Sequence, residues 1–163
     1  MGSDEVNATT STGARRSRLE PELRARVAKR FLEGEYRFTR NREALVATLA
    51  AADRPLTIPE IGVAARTLAV SSIYRNVAML EALGIVQGVV TASDFAHYEL
   101  AEDLTEHHHH HLVCSSCGAV EDFVAPAQLE DSVRAAARRV GRKSRFRVER
   151  HSVDFIGLCP NCV

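Results

Sequence analysis

The placement of the four cysteines constrains this chain most. All fall in two CxxC pairs, Cys114 with Cys117 and Cys159 with Cys162, each in a turn context: Cys114-Ser115-Ser116-Cys117-Gly118 and Cys159-Pro160-Asn161-Cys162. Two such pairs offer the closed set of four thiolates that structural zinc prefers, whereas a redox CxxC normally occurs once, beside a βαβ pattern. The start MGSDEVNATTSTGARRSR lacks the apolar core of a secretion signal. No stretch approaches the roughly 18 uncharged apolar residues that cross a bilayer, so a cytoplasmic protein without membrane attachment is expected. Reducing cytosol disfavours disulfides, which strengthens the metal reading. Because the pairs are far apart in sequence, a shared zinc would clip the chain's last strand onto the middle of its C-terminal half.

With 163 residues, 45% apolar and 26% charged, the chain suits one ordinary folded domain or two small ones. Its 21 basic and 21 acidic residues cancel, but not locally. Arg15, Arg16, Arg18, Arg24, Arg26, Lys29, Arg30, Arg37, Arg40 and Arg42 dominate the N-terminal part, and Glu99 to Asp131 is acidic and histidine-rich. This asymmetry implies a phosphate-facing end and a cation-binding end.

Residues 1 to 18, rich in Ser, Thr, Gly and Arg without apolar period, read as a flexible basic arm. Leu23, Val27 and Phe31 then recur at helical spacing up to Gly34, and Thr39 starts a second helix carrying Leu45, Val46 and Leu49. Thr57-Ile58-Pro59-Glu60 has the spacing of a capping box, with Pro in the first turn of a short third helix. After a break at 66 to 69, a fourth helix puts Val70, Ile73, Val77 and Leu80 on one face and ends at Gly84, leaving Ser71, Ser72, Arg75 and Asn76 to point elsewhere. Ile85 to Thr91 and Phe95 to Leu100 form a hairpin. This order predicts a winged helix-turn-helix over 19–100. From 101 to 163, strands at 107–113, 119–124 and 147–158 enclose a helix carrying Leu129, Val133, Ala136 and Val140. That is a small α/β unit with little core, for which zinc and dimerisation are plausible supports.

In an extended segment, His109 and His111 project from one face and His108 and His110 from the other, so one strand can serve two metal sites. His97 and Glu99 likewise share a face of the wing. Imidazole with carboxylate suits zinc, iron, manganese or nickel. A catalytic metal centre, as in metal-dependent hydrolases, is the competing class, but there is no HExxH or nucleophile motif and the DNA-binding half would lack a purpose.

Ser71-Ser72-Ile73-Tyr74-Arg75-Asn76-Val77 resembles the recognition helix of ferric uptake regulators, and HHHHLVCSSCG at 108 to 118 resembles their metal-binding signature. His151-Ser152 and Gly157-Leu158-Cys159-Pro160-Asn161-Cys162 match the family's ending. The resemblance runs from about Arg37 to the C-terminus. It implies an α+β protein, a winged-helix domain followed by an α/β dimerisation domain, acting as a non-enzymatic, homodimeric repressor on an operator in double-stranded DNA. It also implies structural zinc at Cys114, Cys117, Cys159 and Cys162, a regulatory site using Glu99, His109, His111 and Asp122, and a second C-terminal site from His108, His110, Glu130 and His151. Arg75 and Tyr74, with Ser71, Ser72 and Asn76 on the same helix, are expected at the major groove, and Arg42 with the basic arm at phosphate or minor groove. Iron leads as regulatory metal, ahead of zinc, manganese or peroxide-sensing iron. The iron and peroxide sensors carry a histidine just before the third helix, where this chain has Pro55, and His97 is the candidate to replace it. The zinc-sensing branch has an Asp after the recognition helix, where this chain has Gln87, and a Cys before the His run, which is missing here.

Overall fold

The computed structural model describes residues 19–66, 68–89, 96–105 and 108–163. The expected basic arm, the tip of the hairpin and His107 lie outside these residues. Helix α1 (Pro21–Glu33) begins behind Glu20, whose carboxylate accepts from the Leu23 N–H, and has Pro in its first turn. Helix α2 (Arg40–Ala50) starts after Thr39, whose side chain accepts no capping hydrogen bond. A two-residue strand β1 (Leu56–Thr57) precedes α3 (Ile58–Ala64). Thr57 and Glu60 complete the capping box reciprocally: Thr57 N–H reaches Glu60 Oε2 at 2.8 Å while Glu60 N–H reaches Thr57 Oγ1 at 3.4 Å.

Helix α4 (Val70–Ala82) buries Ile73, Val77 and Leu80, the apolar row of its 3.6-residue period. It ends in a reversal at Gly84, whose φ of +64° suits a residue without Cβ. The following Ile85 N–H returns to Leu80 O at 2.8 Å. Strands β2 (Val86–Val89) and β3 (His97–Leu100) pair antiparallel, and β1 adds to the other side of β3 to give the order β1-β3-β2. Phe31, Leu45, Ile61, Ile73, Leu80 and Ile85 form the centre of this winged-helix core. Leu104, on the short helix α5 (Glu102–Thr105), is buried in the same core although it lies past residue 100. Arg30 bonds both the Gly84 carbonyl and the Asp103 carboxylate, fastening α1 to the start of the wing and to α5.

The second unit is a three-stranded sheet in the order β5-β4-β6, from β4 (His110–Cys114), β5 (Val120–Phe123) and β6 (Asp154–Gly157). β4 pairs antiparallel with β5 and parallel with β6, and the parallel return is made through α6 (Ala127–Ser144). The last strand is shorter than its sequence pattern implies. Residues 147–153 leave the sheet, and that departure carries Arg150 and His151 to positions described below. The core of this unit is small, with Val113 and Val120 packing against Val89 of the wing. No helix among the described residues is long and apolar enough to cross a membrane.

Candidate metal centres

Three groups of His, Cys, Asp and Glu side chains bring their ligand atoms within 4.8 Å of one another. The first is Cys114, Cys117, Cys159 and Cys162. The turn after β4 supplies one pair, and the end of β6, held beside β4 by parallel pairing, supplies the other. Zn–S bonds of about 2.3 Å place the sulfurs of a tetrahedron about 3.8 Å apart. Cys117 Sγ and Cys159 Sγ are 3.7 Å apart, which fits that edge and is far beyond a disulfide. Backbone N–H groups of Cys117, Cys159 and Ser116 point at Cys114 and lower its pKa to about 6. Asn161 N–H favours the Cys159 thiolate, yet burial and the neighbouring cysteines push that group up to about 12. Four sulfurs this close cannot all ionise unaided, and a divalent cation relieves that conflict.

The second group is Glu99, His109, His111 and Asp122. It joins the two units, since Glu99 comes from β3 of the wing and the others from the C-terminal sheet. Glu99 Oε2 lies 2.9 Å from His109 Nε2 and 3.4 Å from His111 Nε2. Asp122 is 3.7 Å from His109 and 4.0 Å from His111. Sheet register explains the set: His111 is paired with Asp122 on one side and with Asp154 on the other, so three side chains share a row. Asp154 Oδ1 is 3.2 Å from His111 Nδ1, which fixes the tautomer that leaves Nε2 open for a cation. Burial opposes the charge of Glu99, but hydrogen bonds from His109, His111 and Gln87 outweigh it and hold its pKa at about 2. Burial likewise opposes the charge of His111, but the Glu99 carboxylate overcomes it and raises the imidazole pKa. Burial raises that of Asp122.

The third group is His108, His110, Glu130 and His151. Glu130, one turn into α6, lies 3.4 Å from His108, 2.5 Å from His110 and 3.2 Å from His151. The His110 and His151 imidazoles favour its charged form, His110 most strongly, and lower its pKa. His108 Nδ1 lies 3.0 Å from Glu102 Oε1, again leaving Nε2 toward the cluster. His110 differs. Its Nδ1 accepts the Val153 N–H at 3.2 Å, so its Nε2 carries the proton that faces Glu130. A cation held through His110 Nε2 therefore requires that backbone contact to open.

The structure thus brings together each ligand set expected from the sequence, with one exception. His97 is buried but belongs to none of the three groups. It lines a cleft with Arg54, Thr57, Glu60, Cys117 and Gly118, beside the cysteine turn. Two residues along a strand is about 6.6 Å, enough to move a side chain on the same face as Glu99 out of reach of the histidine pair. Gln87, Glu102 and Asp154, which orient Glu99, His108 and His111, carry no signal for that role in the sequence. Each acts through register or through chain-distant contacts that local spacing does not encode.

On α4, Ser71, Tyr74 and Arg75 are exposed. Asn76 is engaged within the fold: its amide donates to Ser72 O at 2.7 Å and its oxygen accepts from Arg42 Nε at 3.1 Å. Arg42 also packs over the Phe31 and Tyr36 rings. The two residues therefore join α2 to α4.

A winged helix joined to a histidine- and cysteine-rich unit, with one cation cluster drawn from both, defines a metal-responsive transcription regulator. Residues 33–156 match the model of the ferric uptake regulator family, and the chain belongs to that family. It is 30% identical over 149 residues to the ferric uptake regulation protein of Bacillus subtilis, covering 84% of this chain and 92% of that one. Among solved structures, the Helicobacter pylori ferric uptake regulator, described as having three functional metal-binding sites, superposes with a TM-score of 0.68 at 23% identity, over 89% of this chain and 95% of that one. The Campylobacter jejuni peroxide stress regulator superposes with a TM-score of 0.55 at 21% identity, over 72% and 98%. Family members are regulators, and the metallohydrolase reading falls with that membership.

Proposed function

We propose that this protein is an iron-responsive homodimeric repressor that grips a palindromic operator when the Glu99 cluster holds Fe²⁺, with zinc held by the four cysteines. The carrying observation is that Glu99 of the wing and His109 and His111 of the C-terminal sheet converge on one point. A divalent cation there contacts both units and so favours one relative orientation of them, which is allostery by differential contacts. Two histidines with carboxylates suit ferrous iron as they suit zinc or manganese, and iron is placed first because the Bacillus subtilis relative is a ferric uptake regulation protein. The His108 cluster is a supporting site, in keeping with the three sites of the Helicobacter relative.

Dimer formation is supported by apolar surface that this chain leaves open on the C-terminal unit: Val140, Phe155, Ile156 and Leu158 are all exposed. In the DNA complex, Ser71, Ser72, Tyr74 and Arg75 face the major groove while Arg42 and the N-terminal arm meet phosphate, and Asn76 positions Arg42. The test is selection of duplexes from a random pool by protein purified without oxygen, with Fe²⁺, Mn²⁺ or Zn²⁺ added. Fe²⁺ should bring out a two-fold-symmetric sequence. Selection that is indifferent to metal overturns the reading.

A further inference from the structure

The C-terminal half of α6 and the segment after it carry a concentration of charge that no metal site uses. Between Ser132 and Val148 stand Arg134, Arg138, Arg139, Arg142, Lys143, Arg145 and Arg147 without one acidic residue, in a chain of zero net charge. Arg134, Arg138 and Arg142 recur every fourth residue and line one side of a cleft of about 350 Å³, with Arg150 among its other walls. Gly141 is the reason the cleft exists. A Cβ there would meet Phe146 O at 2.7 Å, so glycine lets the returning chain pass close beneath the helix.

Neutralisation from within the protein is slight. Glu130 is 3.6 Å from Arg134 but is shared with three histidines, and Glu149 lies 3.6 Å from Arg147. Arg138 and Arg142 are exposed, and neither has an ion-pair partner among the described residues. Clustered like charges repel one another and destabilise the folded state unless an anion answers them.

We infer that the Arg134–Arg138–Arg142 row is a second DNA-binding surface, which holds the phosphate backbone of duplex DNA whether or not the Glu99 cluster is metal-loaded. It rests on the reading that this chain binds DNA. Shape favours a polyanion over a point anion: steps of four residues at 1.5 Å each space the arginines about 6 Å apart along about 12 Å of helix. Duplex DNA offers a matching line of charge, one phosphate per about 1.7 Å of axis. Such contacts add affinity and register but no sequence choice. The surface also stays open in the proposed dimer, because the row with Val133 and Val140 lies about 150° around the helix from the arginines. Metal binding at Glu99 would then decide where the protein sits on DNA, while this row keeps it on DNA between sites.

The experiment measures binding of the full-length protein to a duplex lacking any symmetric site, with and without Mn²⁺, across a salt series. The Arg134→Ala/Arg138→Ala/Arg142→Ala variant should lower the slope of log K against log salt by roughly 2 to 3, at about 0.9 per phosphate released, with and without metal alike. Dimer content and cysteine-bound zinc should be unchanged, and the triple Lys variant should keep the wild-type slope, since a point charge suffices for phosphate. If the wild type binds the duplex and the triple Ala variant has the same slope, the inference is overturned while the regulator reading stands. Saturable binding of sodium tripolyphosphate or polyglutamate that is lost in a variant with unchanged duplex slope overturns it in favour of those anions. A wild type that does not bind this duplex with or without Mn²⁺ also overturns the inference, while the regulator reading falls only if no symmetric duplex is selected with any metal.

Discussion

Gln87 and Glu99 are directly paired across the wing, and the Gln87 amide donates to Glu99 Oε1 at 2.6 Å. That bond occupies one carboxylate oxygen and leaves the other to His109 and His111. Arg150, from the segment that leaves the C-terminal sheet, donates in turn to Gln87 Oε1 at 3.2 Å. A neutral amide thus orients the one carboxylate of the cluster that belongs to the winged-helix unit, and ties it to the chain leading into His151.

Removing this support should loosen the cluster without deleting a ligand. Gln87→Ala is expected to weaken metal affinity at the Glu99 cluster by about 10- to 100-fold, the usual effect of losing an outer-shell partner. The measurement is operator binding against buffered free metal, with cysteine-bound zinc as control. An unshifted midpoint would show that Glu99 is held well enough by the histidines alone.

The cysteine set predicts a structural failure. Cys159→Ser should release the zinc, because three thiolates no longer close the tetrahedron, and should free the end of β6 from β4. Loss of stoichiometric zinc together with loss of dimer by sedimentation is the expected result. A variant that keeps one tightly held zinc and sediments as a dimer would contradict the shared site.

These sites differ in how much of them is visible before folding. The CxxC pairs and the alternation of His108 to His111 are local, since spacing within a turn or a strand is set by backbone geometry. The capping box at Thr57 is local too, and appeared as expected. Asp154 and Gln87 depend on which strands pair and in what register, and nothing near them in sequence announces that. The short β1 has no period to detect, and His97 shows the limit of alternation: it gives the face correctly but not the distance along it.

Glu60 provides a pH test away from the metal ligands. Burial opposes its charge, but bonds from Arg54 and Thr57 lower its pKa from 4.5 to about 2. A depressed carboxylate pKa stabilises the fold fully above about pH 4.5, and that contribution is lost as pH falls towards 2. Its side chain is 39% exposed, so solvent screening reduces the effect to about 1 kcal/mol. Glu60→Gln should therefore lower stability at neutral pH by about that amount, roughly 2 to 4 °C in Tm, and close the gap to wild type between pH 4.5 and 2. A gap that is constant with pH would remove the assigned role of the carboxylate charge.

Arg75 is exposed on α4 beside Tyr74, and no ion pair holds it among the described residues. Arg75→Ala should cost about 1 to 3 kcal/mol of specific operator binding if the guanidinium meets a guanine edge, with little change in salt dependence on unrelated DNA. Equal loss on all sequences would instead make it a phosphate contact.

The histidine run separates sensing from support. His111 is fixed by Asp154 with Nε2 turned towards Glu99, while His110 accepts the Val153 N–H and presents its own N–H to Glu130. His111→Ala removes a ligand from the cluster that bridges the two units, and should cost more than the roughly 10- to 100-fold of an outer-shell loss. Metal-dependent operator binding should then vanish while dimer and cysteine zinc persist. His110→Ala removes a fully buried side chain from a cluster that lies within the C-terminal unit. Its main effect should be a lower Tm, with a weaker effect on the metal response. Both variants belong in one titration of operator binding against free metal, with dimer content followed by sedimentation. If His110→Ala silences the response and His111→Ala does not, the two faces of the strand have exchanged roles, and if neither changes it, the sensor lies outside the histidine run.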